Sequence, residues 1–164
     1  MIKTGSENLD ELIQGYNEEI NYIYGPPGSG KTTLCILASI SLLNQNKKVI
    51  FIDTEGGFYI DRFKQLTTNL NLLDNLLLIK VKSFNEQIEK INDLKKLKNI
   101  GLVIIDSLGN FYREEVKKEH KEVNESLARH LNDLREITKN SIPVLLTNQV
   151  YSDLNNNVRN VGGN

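Results

Sequence analysis

The residues best suited to chemistry form one short run, Gly25-Pro26-Pro27-Gly28-Ser29-Gly30-Lys31-Thr32. It fits G-x-x-x-x-G-K-[ST], a pattern whose backbone N–H groups wrap a phosphate. A side chain at Gly28 or Gly30 would block those N–H groups or demand disallowed backbone angles. Lys31 brings a positive charge to the β- and γ-phosphates, and the Thr32 hydroxyl is a natural Mg²⁺ ligand. The spacing therefore predicts a site for ATP and Mg²⁺. A chance Gly/Pro turn is the competing reading.

Hydrolysis needs more: a held metal, an activated water and a group that senses the γ-phosphate. Asp106 closes the apolar run Leu102-Val103-Ile104-Ile105 and is the natural acid for Mg²⁺, directly or through Thr32. Glu55 lies just past Val49-Ile50-Phe51-Ile52 in Asp53-Thr54-Glu55-Gly56-Gly57. There it either polarises the attacking water or is a solvated loop acid. Gln149 follows Ile142-Pro143-Val144-Leu145-Leu146-Thr147-Asn148 and can bond a γ-phosphate, or is an ordinary polar strand end.

These groups need elements to hold them. Asn21-Tyr22-Ile23-Tyr24 reads as a strand into the phosphate loop. From Thr33 onward, Leu34, Leu37, Ile40 and Leu42 predict a heavily covered helix whose N-terminus faces the phosphates. The runs at 49–52, 76–79, 102–106 and 142–147 are continuous and apolar, as buried parallel strands are. Between them lie helical stretches. Ile60, Phe63, Leu66 and Leu70 share one face, and Ser83-Phe84-Asn85-Glu86 is a capping box. Ile88, Ile91, Leu94 and Leu97 point inward from that box, with Lys90, Lys95, Lys96 and Lys98 on a solvated face. Leu127, Leu131, Leu134 and Ile137 mark a long helix, and Ser6 caps a short one at the start. Alternating strands and helices predict an α/β fold, a mainly parallel sheet with helices on both faces and ligands at the carboxyl ends of the strands.

The 164 residues suit one domain, with 39% apolar and 25% charged residues. A net charge of −1 announces neither nucleic acid nor membrane, so any such contact needs a local patch. One cysteine, Cys35, excludes a disulfide framework and makes a reducing, cytoplasmic setting the expectation. No apolar stretch is long enough for a bilayer. His120 and His130 read as exposed helix residues rather than metal ligands. The ending Gly162-Gly163-Asn164 lacks a closing element, which predicts a single domain over 1–164 without its C-terminal strands.

After the phosphate loop, Asp53-Thr54-Glu55-Gly56, Leu102-Val103-Ile104-Ile105-Asp106-Ser107-Leu108 and Thr147-Asn148-Gln149-Val150 follow in order. This succession resembles the RecA/Rad51/RadA recombinase core over nearly the whole chain. Thr4-Gly5-Ser6-Glu7-Asn8-Leu9-Asp10 resembles that family's lead-in to its first core strand. With no N-terminal helical DNA-binding domain and no Phe-x-x-Ala segment ahead of it, the chain is more similar to the family's short archaeal paralogue than to RadA. The resemblance implies a RecA-like P-loop fold, weak Mg²⁺-dependent ATPase activity, DNA binding, and no strand exchange by the paralogue alone. It implies that Glu55 is the catalytic glutamate, with Lys31 and Gln149 beside it, and that Arg62, in Tyr59-Ile60-Asp61-Arg62, packs on adenine. It places Phe111-Tyr112-Arg113 in a first DNA-facing loop and residues 151–163 in a second, with Arg113 and Arg159 as phosphate contacts. Residues 113–125 hold four Lys/Arg against five Glu, so the first loop is not a basic patch and affinity for single-stranded DNA should be modest.

Three functions fit this reading. One is an ATPase that binds DNA and assists recombination and repair. Another is a nucleotide-gated adaptor acting on a recombinase such as RadA or on a structure-specific nuclease. The third is a KaiC-like signalling kinase. ATP binding without turnover would mark the adaptor, and phosphate on Ser or Thr the kinase.

Overall fold

The computed structural model describes residues 1–94, 96, 99–116, 120–152 and 158–160. After α1 (Glu7–Ile13) the chain alternates as the apolar pattern requires: β1 (Ile20–Gly25), α2 (Lys31–Leu43), β2 (Lys48–Asp53) and α3 (Ile60–Leu66). A 3₁₀ turn (Leu70–Asn75) leads to β3 (Leu76–Lys80), then α4 (Phe84–Leu94) and β4 (Ile100–Asp106). The chain continues with α5 (Gly109–Val116), α6 (His120–Thr138), β5 (Val144–Ser152) and β6 (Val158–Asn160).

Five strands form a parallel sheet in the order β1-β5-β4-β2-β3, and β6 returns antiparallel along β5. Successive side chains on a strand face opposite ways, so each central strand feeds two cores. Val49, Phe51, Leu102, Ile104 and Leu145 meet Cys35, Ile36, Ala38 and Leu42 of α2, with Phe63 and Leu72. Ile50, Ile52, Val103, Ile105, Val144 and Leu146 meet Ile91 and Leu94 of α4 and Leu134 and Ile137 of α6. Helices thus cover both faces, as expected.

Register decides what meets at the carboxyl ends. Gly25 pairs with Gln149, Asp53 with Asp106, and Ile105 with Leu146. The phosphate loop, the tips of β2 and β4 and the middle of β5 around Gln149 therefore lie side by side.

Several expectations are corrected. Leu70 does not continue α3, because Thr67 leaves the helix in extended backbone, and Leu70 is exposed. β3 is an edge strand with Leu77 half-exposed, not a buried one. Ser6 makes no side-chain cap; its N–H donates to Thr4 Oγ1, while Asp10 accepts the Thr4 N–H. The box opening α4 is real, although Glu86 accepts the N–H of Lys82 and not that of Ser83. Phe111, Tyr112 and Arg113 lie in helix α5 and not in a loop, with Tyr112 buried. Asn148 and Gln149 lie within β5, which runs on to Ser152. His130 is buried against Phe84, with ring centroids 6.0 Å apart. Lys95, Leu97, Lys98 and residues 153–157 and 161–164 fall outside the described residues, as do the side chains of His120 and Arg159.

Candidate nucleotide site

A cleft at the carboxyl edge of the sheet is lined by Pro27, Gly28, Gly30, Lys31, Thr32, Thr33, Glu55, Asp106 and Gln149. Every one of them was expected from the sequence. Gly25, Pro26 and Ser29 belong to the same loop. Arg62 does not line the cleft; it is exposed on α3 and donates to Gln65 Oε1 at 2.8 Å.

The loop turns into α2 through Gly30 at φ +87°, a conformation L side chains rarely adopt. A Cβ at Gly28 or Gly30 would meet nothing within 4 Å, so backbone angle, not crowding, demands glycine there. The open space is where the loop's N–H groups and the first turn of α2 present their partial positive charge. The Lys31 ammonium donates to Gly25 O at 3.0 Å and Pro26 O at 2.8 Å. Those carbonyls are neutral, so an anionic oxygen offers the ammonium a stronger, charge-assisted partner.

Asp106 is the hub of the acidic side. Thr32 Oγ1 donates to its Oδ2 at 2.6 Å, and Thr147 Oγ1 donates to its Oδ1 at 2.5 Å. Burial pushes the Asp106 carboxyl above the usual carboxylate range; the two hydroxyls oppose that shift, and the charges of Glu55 and Asp53 add to it. Asp53 accepts the N–H groups of Gly57 and Phe58 at 3.0 and 3.2 Å, which folds the 54–57 segment back over the cleft. A Cβ on Gly57 would stand 3.4 Å from Thr32 Oγ1, so Gly57 keeps space in front of the hydroxyl and carboxylate pair.

Thr54 ties the tips of β2 and β4 together. Its hydroxyl donates to Ser107 O and accepts the Ser107 N–H, both at 2.8 Å, and Asn110 donates to its carbonyl at 2.7 Å. That tie brings Glu55 against β4 and α5. Ser107 Oγ donates to Glu55 Oε1, and Gln149 Nε2 donates to Glu55 Oε2 at 2.8 Å. The guanidinium of Arg113 stands 3.8 Å from the same Oε1. Glu55 is exposed yet sits within a polar network. Arg113, expected as a phosphate contact, is engaged with Glu55. Arg159 lies on β6 opposite Tyr151.

Sequence reasoning missed Thr147, Ser107, Gly57 and Asp53. All four sit inside the quoted motifs, one or two residues from the assigned ones. Their roles depend on strand register, which no spacing displays.

The donor set suits a nucleotide with a divalent cation. Among the described residues no three His, Cys, Asp or Glu side chains cluster to cage a metal. A hydroxyl–carboxylate pair beside a phosphate loop suits Mg²⁺, which keeps waters and shares its remaining positions with phosphate oxygens. No helix among the described residues is long and apolar enough to cross a membrane.

Comparison with known proteins agrees with this architecture. The Rad51 family matches over residues 1–164. The chain is 38% identical over 163 residues to the DNA repair and recombination protein RadB of Methanococcus maripaludis strain C7, covering 94% of this chain and 75% of that protein. It is 38% identical over 173 residues to RadB of Methanoculleus marisnigri, covering 99% and 76%. A solved structure described as the RadB recombinase superposes with a TM-score of 0.73 at 35% identity, covering 94% of this chain and 72% of that one. Fold, motif order and similarity converge: the chain belongs to the Rad51/RecA family of DNA repair and recombination proteins, in its RadB branch.

Proposed function

We propose that this protein binds ATP with Mg²⁺, hydrolyses it slowly, and binds DNA in support of recombinational repair. One observation carries the reading. Lys31, Thr32, Asp106, Glu55 and Gln149 come from four separate segments, yet they line one cleft at the end of the sheet.

Lys31 and the loop N–H groups would hold the phosphates, and Thr32 with Asp106 would hold Mg²⁺. The bound cation would neutralise charge on the phosphates as it develops. Glu55 would take the proton of the attacking water, which requires a free carboxylate oxygen. Each of its oxygens accepts one hydrogen bond here and keeps a further lone-pair site for that water. Gln149 would exchange Glu55 for the γ-phosphate. Because β5 runs from Gln149 into the β5–β6 segment, that exchange would reach the DNA-facing side, where Arg159 would meet a phosphate. Arg62 would stack on the base from α3.

The test measures phosphate release with and without Mg²⁺, together with binding of single-stranded DNA across a salt series. Slow Mg²⁺-dependent release and salt-sensitive binding support the reading. ATP binding without any release would favour the adaptor, and absence of DNA binding at low salt would remove the repair role.

A further inference from the structure

Glu55 is held differently at its two oxygens. Ser107 Oγ donates to Oε1, and Gln149 Nε2 donates to Oε2 at 2.8 Å. The two donors differ in how firmly they stand. Ser107 is only 1% exposed, and both of its backbone polar groups are engaged. Thr54 Oγ1 accepts its N–H and donates to its carbonyl, each at 2.8 Å. Thr54 is itself buried, and its own carbonyl accepts Asn110 Nδ2 at 2.7 Å. Gln149 is a half-buried amide reaching across from β5. The guanidinium of Arg113 stands 3.8 Å from Oε1, the oxygen that Ser107 already holds.

The Ser107 hydroxyl has one proton to donate, and donating it to Oε1 gives the carboxylate a fixed point. When Gln149 turns toward a γ-phosphate it leaves Oε2. The tether at Oε1 then keeps the carboxylate from swinging into solvent. A general base must stand within hydrogen-bond reach of the water it activates, and a shift of about 1 Å can cost about a hundredfold in rate.

We propose that Ser107 is a positioning residue: it anchors Glu55 through Oε1 and so presents Oε2 to the attacking water. The inference rests on the proposed hydrolysis and adds the group that orients its base and the atom of that base that reacts. Asp106 and Ser107 are consecutive, so the tip of β4 sets both carboxylates of the cleft. Asp106 is set by its bonds to Thr32 and Thr147, and Glu55 by the Ser107 hydroxyl. The clamp from Thr54 uses no side-chain atom of Ser107, so Ser107→Ala keeps that clamp and loses the anchor alone.

The experiment compares the parent, Ser107→Ala, Ser107→Thr, Glu55→Ala and the double variant Ser107→Ala/Glu55→Ala, each first shown to melt cooperatively. Single-turnover phosphate release reads the chemistry, and calorimetry reads Mg·ATP affinity. Ser107→Ala should release phosphate about 10–100-fold more slowly, the scale of a displaced base, with Mg·ATP affinity near that of the parent. Ser107→Thr keeps the hydroxyl and should recover the rate. Adding Ser107→Ala to Glu55→Ala should slow release no further, because both act through one group. Urea unfolding of the nucleotide-free proteins supplies a readout apart from activity: the two substitutions should couple by about fivefold or more in the unfolding constant, as residues in contact do. Parental release by Ser107→Ala would overturn the positioning. An equal slowing in the Glu55→Ala background would overturn it too, as would a loss of Mg·ATP affinity matching the loss of rate. Strictly additive urea effects would show that the anchor is not made, and would overturn it as well. A parent that releases no phosphate, or a Glu55→Ala protein that releases it at the parental rate, would overturn the hydrolysis reading itself and the positioning with it.

Discussion

Thr147→Val isolates what holds the metal-binding carboxylate. Thr147 is fully buried and donates at 2.5 Å to Asp106 Oδ1, while Thr32 serves the other oxygen. Valine keeps the volume and loses the hydroxyl, so packing changes little and one carboxylate oxygen loses its donor. An acceptor left unsatisfied in a buried site costs about 1–3 kcal/mol. The bond to Thr147 also opposes the upward push of burial on Asp106. Without it the carboxyl rises further and holds its proton to higher pH, competing with Mg²⁺. Groups that orient metal ligands are worth about 10–100-fold in metal affinity. We expect the Mg²⁺ requirement for ATP binding to rise by that factor, more steeply at pH 6.5 than at pH 8, with a lower melting temperature. Thr147→Ser retains the hydroxyl and should stay near the parent. The assay is a Mg²⁺ titration at fixed fluorescent ATP analogue at both pH values. A lower melting temperature with an unchanged Mg²⁺ requirement at both pH values would refute the reasoning and leave Thr147 as packing alone.

Glu55→Gln should retain nucleotide and lose most turnover, because the amide keeps the shape but cannot take a proton; single-turnover phosphate release checks it, and a parental rate would remove Glu55 from that role. Gln149→Ala should keep ATP binding but abolish any difference in DNA affinity between ADP and a non-hydrolysable ATP analogue, and a surviving difference would show that the coupling runs elsewhere. Burial lowers the His130 pKa to about 4, against the nearby charge of Asp133. The unfolded chain therefore takes up the proton first as pH falls, so this stability is present above about pH 6.5 and is lost toward pH 4. The parent should lose about 2–3 kcal/mol more than His130→Leu between pH 7.5 and 4.5. Urea midpoints at the two pH values measure this, and parallel losses would clear His130 of the effect.

The phosphate loop was legible because its chemistry is local. Backbone N–H groups, a positive φ at Gly30 and the adjoining Lys31 are consecutive in the chain, so spacing alone displays them. Asp106 was legible as an acid ending an apolar strand. The Glu55 network was not, because Ser107, Gln149 and Arg113 reach it from the end of β4, the middle of β5 and helix α5, whose meeting is set by sheet register. His130 could have been read. It lies three residues after Leu127 and four before Leu134, on the same inward stripe of α6. Its position on that stripe decides its burial more than its polar type does. Leu70 is the opposite case: its helical spacing runs past Thr67-Thr68-Asn69, where the backbone leaves the helix.

The central claim is that the cleft around Lys31 is a nucleotide site, and calorimetric titration of Mg·ATP into the parent and Lys31→Ala tests it most directly. Among the described residues the Lys31 ammonium hydrogen-bonds to two loop carbonyls, so its loss should leave circular dichroism and melting near those of the parent. The account predicts one equivalent bound by the parent and an affinity at least about tenfold weaker in the variant, matching the ~1.5–3 kcal/mol of a charged hydrogen bond. Equal affinity in a folded Lys31→Ala protein, or no binding by the parent, would contradict it.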